Sequence, residues 1–198
     1  MDLLTDDQCW VQCHPLDLWI YDKLILSRKL GYKCGPAGVN VPEPGQYIVR
    51  PISNILGMGR QAESLYLTDS TDHLPPGTFW CEKFMGRHLS IDYDNTKMVL
   101  CVEGLRPPHH PLWKWTKWRR VESVIPFPLV LRGLENKSQI NCEFIDGKLI
   151  EVHQRFNQDM GEYDEVIPVW KGEPLNLENE GYTYYNDEDY HRQGFWKK

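Results

Sequence analysis

The sequence lacks any apolar run approaching the 18 residues a membrane helix needs. Its start, Met1-Asp2-Leu3-Leu4-Thr5-Asp6-Asp7, has neither the basic opening nor the apolar stretch of a secretory signal. A cytoplasmic protein with no membrane partner is expected. Several chemistries are missing their signatures: there is no G-x-S-x-G elbow, no H-E-x-x-H helix, no paired C-x-x-C and no Lys-x-Asp-Gly nucleotidyl-transfer motif. Excess charge of one sign is also absent from the body. Residues 1–160 hold 19 acids and 18 bases, while residues 161–198 hold 9 acids and 4 bases. Recognition of a polyanion by bulk charge is therefore disfavoured, although a local basic patch stays open.

Cysteine is sparse and scattered. Cys9, Cys13, Cys34, Cys81, Cys101 and Cys142 lie in apolar contexts, which reads as buried thiols in a reducing compartment. Cys9-x3-Cys13-His14 is the one cluster, and it has no second pair to complete a zinc site. Present in quantity are aromatic residues and proline: eight Trp, ten Tyr and fourteen Pro among 198 residues, which implies loops pinned by aromatic side chains around a sizeable core.

Apolar residues Leu16, Trp19, Ile20, Leu24, Leu26 and Leu30 recur at helical spacing between Pro15 and Gly31, predicting one amphipathic helix. A Pro/Gly loop follows, then a strand at Tyr47-Ile48-Val49-Arg50, then a turn bearing Gly57-Met58-Gly59-Arg60. Residues 77–85 read as a strand. Residues 89–93 and 97–102 read as a hairpin around Asp94-Asn95. The clearest hairpin joins Ile140–Ile145 to Lys148–His153 through Asp146-Gly147, a favoured type I′ turn. No internal repeat or clear linker appears, and the acidic, tyrosine-rich stretch beyond Trp170 reads as a tail.

That last hairpin carries the strongest chemical signal. Alternation puts Glu151 and His153 on one face, and whether Glu143 joins them depends on loop length and on any bulge. Carboxylates are hard oxygen ligands for Mg2+, and with Arg155 and Asn157 following, Arg155 suiting phosphate, the group would bind a divalent cation carrying phosphates. An ordinary solvent-facing hairpin carries the same residue types. Gly57-Met58-Gly59 after Arg50 would offer backbone N–H groups to phosphates, yet it lacks the Lys-Ser/Thr ending of a phosphate loop and the third glycine of a dinucleotide fingerprint. A plain surface turn fits it as well. Trp113-Lys114-Trp115-Thr116-Lys117-Trp118-Arg119-Arg120 would stack bases and track phosphates, or would pack its indoles inward and leave its bases wet.

The order of these elements resembles the ATP-grasp superfamily over residues 20–160. Asp22-Lys23 opening a helix looks like the segment whose lysine reaches the nucleotide phosphates. Tyr47-Ile48-Val49-Arg50-Pro51 is similar to the strand with a second phosphate-binding base, and Gly57-Met58-Gly59-Arg60 to the glycine loop over the phosphates. Glu82-Lys83-Phe84-Met85 resembles the adenine-reading hinge. Gly86-Arg87-His88-Leu89-Ser90-Ile91 looks like the strand near the ribose, most of all in biotin-carboxylase-like members. Cys142-Glu143-Phe144 and Ile150-Glu151-Val152-His153-Gln154-Arg155 resemble the metal core. In three places the chain departs from the pattern: Arg50 replaces a lysine, His153 replaces an asparagine, and His88 stands where an acid is common.

The resemblance implies an α+β, ATP-grasp-like fold with two β-rich lobes and packed helices around a nucleotide cleft. Residues 1–170 would form one compact domain, its lobes dividing near 95, with 171–198 as the tail. It implies ATP and Mg as cofactors. Lys23, Arg50, Gly57, Gly59, Glu82, Lys83, Met85 and His88 would hold nucleotide; Glu143, Glu151 and His153 would hold metal; Arg155, Lys23 and Arg50 would be catalytic. The activity implied is carboxylate activation as an acyl-phosphate and attack by an amine, both substrates being small molecules or peptides. A degenerate grasp that binds nucleotide or protein without catalysis is the first alternative. A single-stranded nucleic-acid-binding module is the second.

Overall fold

Alternating apolar and polar residues build two antiparallel sheets, and a computed structural model describes residues 5–53, 59, 61–189 and 191–198. The smaller sheet has the order β1-β4-β2-β3, from β1 (Cys34–Pro36), β2 (Gly45–Pro51), β3 (Glu63–Leu67) and β4 (Thr78–Glu82). The larger contains β5 (His88–Asp94), β6 (Lys97–Leu105), β7 (Lys117–Arg120), β8 (Ile140–Ile145), β9 (Lys148–His153), β10 (Glu165–Trp170), β11 (Thr183–Asn186) and β12 (Arg192–Lys197). Its order is β11-β12-β10-β7-β6-β5-β8-β9. The change of sheet falls at residues 83–87 rather than near 95, because residues 88–94 already pair with β6 and β8.

Period-two alternation gives the large sheet two unlike faces. Leu89, Ile91, Tyr93, Cys142, Phe144 and Val152 point to the back and form the main core with residues of the N-terminal helices. Ser90, Asp92, Asn141, Glu143, Glu151 and His153 alternate with them and point the other way. The expected helix over Leu16–Leu30 is two pieces, a 3-10 helix at Pro15–Tyr21 and α2 at Lys23–Lys29. Asp22 makes the break. Its carboxylate accepts from the Ile25 N–H at 2.7 Å and starts α2, while its backbone bridges to Ser53.

An additional helix, α1 (Asp6–Gln12), precedes these. It lies by the open edge of β9, where the Cys9 thiol donates to the Gln154 carbonyl. The stretch expected as a tail supplies β11 and β12, and β12 runs between β11 and β10 with Phe195 and Trp196 buried. Aromatic alternation there is strand periodicity, and the surrounding acids obscured it.

In the connector, Gly86 has φ +140, and the Asp146 N–H donates to the Arg87 carbonyl at 2.9 Å. A Cβ on Gly86 would stand 2.7 Å from that of Asp146, so the connector rests on the tip of the β8–β9 hairpin. All six cysteines are free, and among the described residues no group of three or more His, Cys, Asp or Glu is arranged for a metal ion. No described helix is long and apolar enough to cross a membrane.

Candidate functional site

The β8–β9 hairpin answers the question of register left open by its sequence. Asp146 and Gly147 both have positive φ, as a type I′ turn requires. Glu143 pairs with Glu151, Phe144 with Leu149, and Ile145 with Lys148, so Ile150 is an extra residue in β9. This bulge brings Glu151 directly across from Glu143, on the face opposite the core. The Ile150 carbonyl, freed from the ladder, accepts from Arg50 Nη2 at 3.0 Å.

Cations converge on Glu151. Lys23 opens α2, which is tied to both sheets, and its Nζ lies 3.4 Å from Glu151 Oε2. Arg50 Nη1 is 3.8 Å from the same oxygen, and His153 Nε2 is 3.4 Å from Oε1. All four side chains are more than nine-tenths buried. Burial opposes ionisation of Glu151, but the charges of Lys23, His153 and Arg50 outweigh it and hold the carboxyl below its usual range. Burial also pulls the Lys23 ammonium down. The carboxylate facing three cations is the firmer member of that pair.

His153 is held from its other side by Asp6, whose Oδ1 lies 2.8 Å from Nδ1. Burial would favour the neutral ring, yet Asp6 and Glu151 raise its pKa to about 9. In this arrangement the ring offers no lone pair to a metal, unlike the asparagine-like ligand that the resemblance implies. Arg155 reaches the same Asp6 with Nε and Nη2, at 2.7 and 2.9 Å. Asp6 had no place in the sequence reading, although Thr5-x-x-Gln8 with two acids between is a helix-start signal that would have placed α1.

All of these groups line one cleft of about 1070 Å³ between the two sheets, a volume suited to a nucleotide. Glu82, Lys83 and Met85 line its connector side; the Glu82 carboxylate accepts the Lys33 N–H at 3.0 Å. Gly59, φ +60, lies between β2 and β3 and lines it beside the Leu112–Trp113 backbone. Gly57 lies outside the described residues. His88 Nε2 stands 3.1 Å from Glu143 Oε2, which joins the position expected near the ribose to the carboxylate pair.

Asp92, on the same face, escaped the sequence reading, whereas Asn157 was among the residues expected beside the metal. Asp92 is buried and its pKa is raised to about 6, burial outweighing the hydrogen bonds from Asn141 and the Asn157 N–H. Asn157 is itself used structurally, its side chain accepting the Asp159 and Met160 N–H groups.

Two antiparallel sheets with few helices form an α+β fold and close on a cleft whose floor carries paired carboxylates and whose walls carry buried cations. Comparison with solved structures shows the fold to be ATP-grasp-like: N5-carboxyaminoimidazole synthetase from Staphylococcus aureus, complexed with ADP, is similar over 98% of this chain and 73% of its own, at 11% identity and a TM-score of 0.55. A second structure of that enzyme gives the same coverage and identity, with a TM-score of 0.54. An Archaeoglobus fulgidus protein described as of the ATP-grasp superfamily is similar over 90% of this chain at 12% identity and a TM-score of 0.48; the chain spans 64% of its length. No family model and no curated protein matches the sequence.

Proposed function

We propose that the cleft binds ATP with Mg2+ and activates a carboxylate for attack by an amine. The observation that carries this reading is the placement of Glu143 and Glu151 on one rung by the Ile150 bulge, beneath Lys23, Arg50 and Arg155. Two facing carboxylates suit a hard divalent cation once phosphate oxygens complete its shell. Glu143 and Glu151 would hold it, and it would supply charge neutralisation at the phosphates. His153 fits a different role, positioning Glu151 and carrying its charge to Asp6.

Lys23 and Arg50 would bind and orient the phosphates. The acid's carboxylate oxygen takes the γ-phosphoryl group, and ADP leaves. Arg155 would steady the resulting acyl-phosphate while the amine attacks its carbon, loses a proton and expels phosphate. Asp6 on Arg155 favours a second reading, a grasp that holds nucleotide without turnover.

Calorimetric titration with a non-hydrolysable ATP analogue, with and without Mg2+, tests the site. Magnesium-dependent binding that is lost in Glu151→Gln is expected; no binding at millimolar analogue would overturn it. Phosphate release with acid and amine pairs then separates ligase from passive binder.

A further inference from the structure

One end of the cleft is unlike the rest. The loop after β6 and the strand β7 bring Trp113, Trp115 and Trp118 to it, and β10 adds Trp170. Gly104 makes room for this wall, since a Cβ there would stand 2.7 Å from the Trp118 ring and 3.0 Å from that of Trp115. Trp115 and Trp118 lie with centroids 4.9 Å apart; Trp113 meets Trp170 edge-on at 5.3 Å; and the Trp170 indole N–H donates to the Trp115 carbonyl at 2.9 Å.

Arg106 sits in this wall with its guanidinium over Trp115 at 5.5 Å. Its Nη1 donates to the His110 carbonyl at 2.9 Å, whereas its buried Nε has no hydrogen-bond partner among the described residues. The buried Nδ1 of His110 has none either. The neighbouring bases are engaged: Lys114 with Glu173, Lys117 with Glu165, Arg119 with Glu103 and Arg120 with Asp164. Arg106 has no carboxylate partner among the described residues. His88 connects this recess to the phosphate end, edge-on to Trp115 at 4.5 Å while its Nε2 faces Glu143.

We propose that the Arg106 recess is the acid-substrate subsite and that it takes a small carboxylate borne on a flat aromatic or heteroaromatic ring. A guanidinium with an unmet buried N–H is matched by a carboxylate, and indole walls are matched by a planar ring that stacks on them. Only the ligand's standing as substrate rests on the ligase reading above; its binding does not.

The test is titration of the whole chain with benzoate and with cyclohexanecarboxylate, followed by tryptophan fluorescence and calorimetry, alone and with the non-hydrolysable ATP analogue and Mg2+. Benzoate is expected to bind more tightly than cyclohexanecarboxylate. Its affinity should fall about tenfold or more in Arg106→Gln and partly recover in Arg106→Lys, with unchanged binding of the nucleotide analogue as the check on folding. No benzoate binding at millimolar concentration while the analogue binds would overturn the recess and spare the nucleotide site. Equal affinity for the two acids would overturn the flat-ring class. Arg106-dependent benzoate binding without analogue binding would support the recess and overturn the ligase reading.

Discussion

Asp6 and Arg155 are 149 residues apart in sequence, yet the Asp6 carboxylate receives two parallel hydrogen bonds from the Arg155 guanidinium, at 2.7 and 2.9 Å. A short N-terminal helix thereby reaches into the cleft and neutralises the arginine that the proposed reaction would use at an acyl-phosphate.

Replacing Asp6 by asparagine leaves Arg155 without its carboxylate and protonated His153 with Glu151 alone, at an expected cost of about 3 kcal/mol at neutral pH. Burial opposes ionisation of Asp6, but His153 and Arg155 lower its pKa from 3.8 to about 2. A depressed carboxyl stabilises the fold fully above its unfolded value and loses that contribution as pH falls through the folded one. Denaturant midpoints of wild type and Asp6→Asn should therefore converge between pH 4 and about 2; a gap that stays constant there refutes the assignment.

Lys23 and Glu151 should behave as a coupled pair. Lys23→Met and Glu151→Gln are each expected to destabilise by about 2 kcal/mol or more, and the double variant by less than their sum by about 1–3 kcal/mol. Strict additivity in a double-mutant cycle would mean that the 3.4 Å contact carries no energy.

Gly86→Ala combines a backbone at φ +140 with a Cβ 2.7 Å from Asp146. A loss of about 2 kcal/mol is expected in thermal or denaturant unfolding. An unchanged midpoint would show that the connector yields freely against the hairpin tip.

The four bases of the Trp113–Arg120 segment are all ion-paired, and its indoles line the cleft. Fluorescence anisotropy with a labelled oligothymidylate at low salt should accordingly show no binding. Binding that weakens steeply with salt and disappears on replacing Trp115 and Trp118 would restore the nucleic-acid reading.

Local rules made much of this molecule legible. Asp146-Gly147 located the central hairpin, and β-branched alternation located β2, because turn chemistry and pleat act over a few residues. The partnership of Glu143 with Glu151 was hidden, since an inserted residue such as Ile150 leaves no local mark until both strands are paired. Lys23 was picked out only through a resemblance and Arg50 also as the base ending a strand before a glycine turn, whereas Asp6 and Arg106 became visible only through tertiary contacts. The break at Asp22 was masked by apolar spacing that continues across it.

The ladder of alternating charge from Asp6 through His153 and Glu151 to Lys23 and Arg50 constrains how this chain can drift. Neutralising one member strands its neighbour as a buried, uncompensated charge, while replacing a pair together by apolar residues of equal volume is tolerated far better. Descendants of this sequence should thus change these five positions in matched sets. A lineage that loses Glu151 would first have shed Lys23 or Arg50, leaving a recognisable order in the record of its substitutions.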